Sequence, residues 1–185
     1  MFRSSERSAR VGLAAKVLAG AALVIGPIAG WSSPAGAQVP TCLGLPATIV
    51  GSAGNDVLNG TPGNDVIIGL GGDDIIYGNG GNDTICGDDG NDRLYGGDGD
   101  DVIQGGNGDD LVNGDGGRDS LDGGAGNDVI NGGASDDDLR GGDGDDELWG
   151  NDNNDSFSGG NGNDYCNGGR GRDIADGTCE RVDGM

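Results

Sequence analysis

From Gly51 to Asp176 the chain repeats every nine residues with no insertion or deletion, and the sixth residue of all fourteen units is aspartate. The first unit reads Gly51-Ser52-Ala53-Gly54-Asn55-Asp56-Val57-Leu58-Asn59, and the last reads Gly168-Gly169-Arg170-Gly171-Arg172-Asp173-Ile174-Ala175-Asp176. Every unit opens with glycine, and twelve carry a second glycine at position four, Ser135 and Asn153 being the exceptions. Position eight is Leu, Ile, Val or Phe in twelve units, then Cys166 and Ala175. A period this short and this strict prescribes a stack of like units, because no single unit can bury its apolar residue alone.

Glycines at positions one, two and four permit the positive φ angles and close backbone approach of a tight bend. Residues seven to nine, such as Val57-Leu58-Asn59 or Val102-Ile103-Gln104, then form a strand too short to stand alone. Side chains alternate across a strand, so position eight points inward while seven and nine point out. Two bends and two strands close one coil of eighteen residues. The expected fold is all-β: a right-handed parallel β-roll (a β-solenoid) of two short-stranded parallel sheets, with fourteen repeats in seven coils over residues 51–176. Odd repeats place Leu58, Ile76, Leu94, Val112, Ile130, Leu148 and Cys166 in one inner row. Even repeats place Ile67, Ile85, Ile103, Leu121, Leu139, Phe157 and Ala175 in the other.

The same stacking sorts the aspartates into two columns. One holds Asp56, Asp74, Asp92, Asp110, Asp128, Asp146 and Asp164; the other holds Asp65, Asp83, Asp101, Asp119, Asp137, Asp155 and Asp173. Neighbouring carboxylates in a column sit roughly 5 Å apart and repel unless a cation lies between them. Carboxylates and the carbonyls of glycine bends are hard oxygen ligands. They suit Ca²⁺ with its flexible coordination better than Mg²⁺, which demands a strict octahedron. A core one residue wide, a glycine-rich backbone and rows of like charge leave the metal-free chain expected to be disordered.

These residues carry a resemblance. The pattern of glycine at one, two and four, aspartate at six and an apolar residue at eight resembles the RTX calcium-binding β-roll repeat over residues 51–176. The resemblance implies that aspartates of successive coils share each ion with glycine-loop carbonyls and some position-three side chains. The matching position-three groups are Asp89, Asp98, Asn107, Asp143, Asp152 and Asn161, whereas Pro62 and Arg170 cannot serve. One ion between each repeat and the repeat two along sets an upper bound of about twelve Ca²⁺. In layout the chain is similar to small stand-alone secreted calcium-binding proteins of high-GC Gram-positive bacteria. It departs from the larger RTX exoproteins in showing no attached enzyme or pore-forming domain, so toxin behaviour and their C-terminal export route are not carried over.

The flanks read differently. Arg3, Arg7, Arg10 and Lys16 precede an apolar run from Val17 to Gly30, and Ala35-Gly36-Ala37 forms an A-x-A site, which together predict a signal peptide over 1–37 cleaved after Ala37. The run is too short and too interrupted by Gly20, Gly26, Pro27 and Gly30 for a spanning helix, so stable membrane insertion is not expected. Residues 38–50 form an N-terminal cap segment and 177–185 a C-terminal cap or tail. Without residues 1–37 the chain keeps six Arg against 31 acids, a net charge of −25, and has no Lys or His. That charge disfavours nucleic acid and anionic membrane surfaces as partners and favours cations. Four cysteines in an exported chain allow three disulfide connectivities. Their positions favour Cys42–Cys86 and Cys166–Cys179, one staple at each end of the array.

Other function classes are weaker. Paired carboxylates recur fourteen times with none distinctive, and no His, Lys or serine nucleophile motif accompanies them after residue 37, so an enzyme is not expected. Asp136-Asp137-Asp138-Leu139-Arg140-Gly141 with Glu147 approaches an EF-hand loop, but Arg140 occupies a ligand position and no amphipathic helices flank it. The Asn-x-Ser/Thr triplets at Asn59, Asn82 and Asn154 are by-products of the repeat. Position nine of the odd repeats reads Asn59, Tyr77, Tyr95, Asn113, Asn131, Trp149 and Asn167. This row could stack on sugars of a cell-wall or other extracellular polymer, although a stabilising cross-strand ladder is the commoner use of such a pattern. The resulting expectation is a secreted calcium-binding structural or binding module. A calcium-dependent adhesin or glycan-binding module is the alternative, and the remnant or accessory of a secreted RTX enzyme stands behind it.

Overall fold

The computed structural model describes residues 23–24 and 39–184. The expected signal peptide over 1–37 and its cleavage site otherwise lie outside the described residues. Strands alternate strictly between two parallel sheets, as the eighteen-residue coil requires. One sheet runs from Ile49–Val50 through Val66–Gly71, Thr84–Asp89, Val102–Asn107, Ser120–Ala125, Asp138–Asp143 and Ser156–Asn161 to Ile174–Ala175, with Leu23–Val24 antiparallel on its Ile49–Val50 edge. The other runs from Val57–Asn59 through Ile75–Gly80, Arg93–Asp98, Leu111–Gly116, Val129–Ala134, Glu147–Asp152 and Tyr165–Arg170 to Arg181–Asp183. This is a parallel β-roll. Ile49–Val50 and Arg181–Asp183 lie outside the repeats and each adds half a coil, so the roll has about eight turns where the repeats alone supply seven.

The register is eighteen residues throughout the repeats: Val102 faces Ser120, Ile103 faces Leu121 and Gln104 faces Asp122. Position eight is therefore stacked on itself. Ile49, Leu58, Ile67, Ile76, Ile85, Leu94, Ile103, Val112, Leu121, Ile130, Leu139, Leu148, Phe157, Cys166 and Cys179 form one continuous buried core, with Ala175 packed against it. Burying each aliphatic side chain stabilises by about 2 kcal/mol.

Most strands are longer than the expected three residues. Each six-residue strand continues through positions one to three of the next unit, and its pairing passes over position one and resumes at two and three, as in Gly106 opposite Gly124. Position two then takes a left-handed φ, even where it is Leu70, Asn79, Asp88, Asp115 or Asn151. The corner is thus turned inside a hydrogen-bonded strand, because the parallel neighbour supplies partners that an isolated glycine bend would lack.

A second, smaller core lies outside the first. Positions nine of the second and fourth repeats, Ile68 and Cys86, point outward as the alternation dictates, yet both are buried. The N-terminal segment folds over them through a short antiparallel pair, Thr41–Cys42 with Leu45–Pro46, and packs Cys42 and Ala47 against Ile68 and Cys86, with Val50, Val66 and Leu70 alongside. Disulfides join Cys42 to Cys86 and Cys166 to Cys179, the pairing expected from their positions. Among the described residues no helix is long and apolar enough to cross a membrane.

Candidate metal centre

The two aspartate columns are built by backbone hydrogen bonding as much as by stacking. Each position-six amide donates to the Oδ1 of the aspartate eighteen residues later: Asp74 to Asp92 at 2.7 Å, Asp92 to Asp110 at 2.8 Å, Asp110 to Asp128 at 2.8 Å in one column. In the other, Asp83 donates to Asp101 at 2.7 Å and Asp137 to Asp155 at 2.9 Å. This ties down one carboxylate oxygen and leaves the second. From Asp74 to Asp164 the aspartates are between 0% and 3% exposed. The Oδ2 atoms of Asp74, Asp83, Asp92, Asp101, Asp110, Asp119, Asp128, Asp137, Asp146, Asp155, Asp164 and Asp173 are buried with no hydrogen-bond partner. A buried acceptor left so costs about 1–3 kcal/mol, and more when charged.

Asp56 and Asp65 differ. Asp56 Oδ2 accepts from the amide and hydroxyl of Ser52, and Asp65 Oδ2 accepts from those of Thr61. Hydroxyl residues at position two of the first two repeats satisfy there what the other twelve units leave open.

Of the two reasons expected for glycine, positive φ and close backbone approach, position one uses the second. It does not adopt a left-handed φ; it makes room. A Cβ on Gly105 would stand 2.3 Å from Asp110 Oδ2 and 2.4 Å from the carbonyl oxygen of Gly123, and one on Gly87 would meet Asp92 Oδ2 at 2.3 Å and the Gly105 carbonyl at 2.6 Å. At Gly69, Gly78, Gly87, Gly96, Gly105, Gly114 and Gly141 the unpartnered carboxylate oxygen of the repeat and a carbonyl oxygen of the next coil therefore crowd one cradle. Positions two and four carry the positive φ values, as at Gly106 and Gly108.

Burial raises the proton affinity of these carboxyls, and the charges above and below add to it. Asp101, Asp110 and Asp137 are pushed up to about 7, and Asp74, Asp119, Asp128, Asp146 and Asp155 to about 6, the backbone hydrogen bonds opposing the shift. Asp83, Asp92 and Asp164 are raised for the same first reason. Desolvation raises a carboxyl in this way, and a cation beside the column would favour the charged form again.

The position-three side chains lie on the outside. Asp89, Asp98, Asn107, Asp143, Asp152 and Asn161 are exposed. Asn107 donates to Asp89 and Asn161 to Asp143, both at 2.7 Å, and Arg170 pairs with Asp152 at 3.4 Å. Two pairs of them meet on the surface, Asp89 with Asn107 and Asp143 with Asn161, away from the buried Oδ2 row. Among the described residues no group of three or more His, Cys, Asp or Glu side chains converges on one point. A cation in this frame would meet the open Oδ2 of an aspartate and a glycine carbonyl of the next coil, as beside Gly105. Hard oxygens, uncompensated buried charge and tolerance of irregular geometry fit Ca²⁺.

Two further rows escaped sequence reading. At position five, Asn or Asp side chains accept from the position-five amide one coil on, as Asn55 does from Asp73 and Asp109 from Asn127, running opposite to the position-six chain. Beyond the last repeat, Glu180 Oε2 accepts from the Asp164 amide at 2.6 Å. The signal for the first row was available, since twelve of the fourteen position-five residues are Asn or Asp and only Arg118 and Arg172 break the type.

No curated protein sequence matches the chain. The sequence profile of the RTX calcium-binding nonapeptide repeat matches in four copies, over residues 49–85, 87–121, 113–148 and 140–175. With the buried aspartate columns, the cradle at position one and the parallel roll, that match covers most of the chain, which belongs to the RTX calcium-binding nonapeptide repeat family.

Proposed function

We propose that the protein is a secreted structural or binding module that is ordered by several Ca²⁺ ions outside the cell. The observation that carries this reading is the set of twelve buried Oδ2 atoms without partners. Their number equals the upper bound set by one ion between each repeat and the repeat two along. Asp74 through Asp173 would hold the ions together with position-one carbonyls, and a bound divalent cation supplies the positive charge that the columns lack. Extracellular calcium modules commonly bind at about 10⁻⁴–10⁻³ M, so sites of this class stay empty where calcium is scarce and fill outside. Binding free energy then becomes folding free energy. The reading assigns no catalytic role.

An adhesin or glycan-binding role is the second reading, and the outer aromatic row speaks against it. Tyr77 and Tyr95 stack on each other with ring centroids 5.1 Å apart, and Trp149 meets Tyr165 edge-on at 5.4 Å. Ring faces spent on one another serve as a cross-strand ladder.

The test is circular dichroism and calorimetry on protein collected from the medium of a secreting host. The expected result is a coil-to-β transition between EDTA and millimolar Ca²⁺ with many ions bound. Identical spectra in both conditions overturn the calcium reading, and retention inside the cell overturns the secreted one.

A further inference from the structure

We propose that Glu180 ends the odd aspartate column as a metal ligand, so that Asp164 and Glu180 form a terminal calcium site beyond the last nonapeptide. The proposal rests on the calcium reading above and gives the ion at Asp164 Oδ2 a second carboxylate from beyond the repeats.

The geometry points to it in three ways. Within the column every aspartate amide donates to the carboxylate of the next coil, and the Asp164 amide donates to Glu180 Oε2 at 2.6 Å. Glu180 thus stands where a further position-six aspartate would stand. The Glu180 and Arg181 amides in turn donate to the Asp164 carbonyl oxygen. Next, the strand after Glu180 is in register with the roll, Arg181 opposite Tyr165, Val182 opposite Cys166 and Asn167 opposite Asp183. The offset is sixteen residues, so this last bend is two residues shorter than the others. Glutamate, one methylene longer than aspartate, lets the carboxylate span that shortened bend. Finally, Asp164 is 1% exposed and its Oδ2 has no partner, the same open valence as inside the stack.

Two neighbours hold the arrangement. Cys179, immediately before Glu180, is bonded to Cys166, two residues after Asp164, so the disulfide fastens the two carboxylate-bearing segments together. Arg181, the nearest cation in sequence, is engaged elsewhere: its guanidinium lies 4.7 Å from the Tyr165 ring centre and 3.3 Å from Asp183. Among the described residues neither the Asp164 nor the Glu180 carboxylate is paired with an arginine.

The test compares Glu180→Gln and Glu180→Ala with the wild-type full chain, disulfides intact, by native mass spectrometry and calcium-titrated circular dichroism. Gln keeps an oxygen for the Asp164 amide but removes the charge. A ligand role predicts that both variants bind one Ca²⁺ fewer than wild type and keep the wild-type spectrum at saturating calcium. A pure capping role predicts that Gln matches wild type in ion count, which overturns the proposal. A Gln variant that fails to fold at any calcium concentration also overturns it, since one terminal ion does not account for the whole roll. A wild-type chain that binds no calcium sinks the underlying reading instead, and is recognised by the wild-type arm alone.

Discussion

The amide of Asp92 donates to Asp110 Oδ1 at 2.8 Å across eighteen residues, while Asp110 Oδ2 is buried without a partner. One carboxylate thus does two jobs. One oxygen fixes the register of neighbouring coils, and the other faces the cradle that Gly105 leaves open by having no side chain.

That division predicts unequal costs along a column. Asp110→Ala strips the Asp92 amide of its acceptor and borders two sites, whereas Asp56 lies at the end and accepts only from Ser52. The expected loss for Asp110→Ala is about 1–3 kcal/mol greater, read as a higher calcium midpoint in circular dichroism. Equal midpoints for Asp110→Ala and Asp56→Ala contradict it.

The raised carboxyls set a pH dependence. Asp101, Asp110 and Asp137 at about 7, and Asp74 and Asp146 at about 6, lie above their ordinary value of 3.8. The metal-free fold therefore binds more protons than the unfolded chain, and its stability falls as pH rises through that window. In EDTA, β-structure is expected near pH 4–5 and lost by about pH 7–8. In calcium the midpoint should rise on acidification, because protons and Ca²⁺ compete for the same oxygens. Metal-free protein that is more ordered at pH 8 than at pH 5 runs against this.

The cradle makes position one intolerant of any side chain. Gly105→Ala drives a methyl into Asp110 Oδ2 and the Gly123 carbonyl, so it should destabilise the calcium-bound roll by about 1–3 kcal/mol or more. Gly54 has no positive φ and open space around its Cβ position, and Gly54→Ala should stay within about 0.5 kcal/mol. Thermal unfolding in excess calcium distinguishes them, and indistinguishable melting curves would count against the cradle.

The staples should differ in strength. Cys42–Cys86 spans 44 residues and Cys166–Cys179 spans 13; loop entropy alone makes the first worth about 1 kcal/mol more. Paired alanine replacements compared in denaturant with calcium present measure the difference. The N-terminal pair should also uncover Ile68, detectable as dye binding to newly exposed apolar surface.

The core rows and both aspartate columns were legible from the count of nine, because strand alternation and a constant period leave a side chain no choice of face or neighbour. Local chemistry was enough there. It was not enough for Ile68 and Cys86, whose outward direction was read correctly but whose burial depends on a segment folding back from residue 42. Nor did it reveal that position-one glycine serves space and not φ, since the obstructing atoms, Asp110 Oδ2 and the Gly123 carbonyl for Gly105, come from five and eighteen residues away. Glu180 broke the period by two residues and so had no place in the pattern; only the pairing of Val182 with Cys166 returns it to the column. Periodicity determines what repeats, whereas contacts that the period does not generate exist only once the chain has coiled.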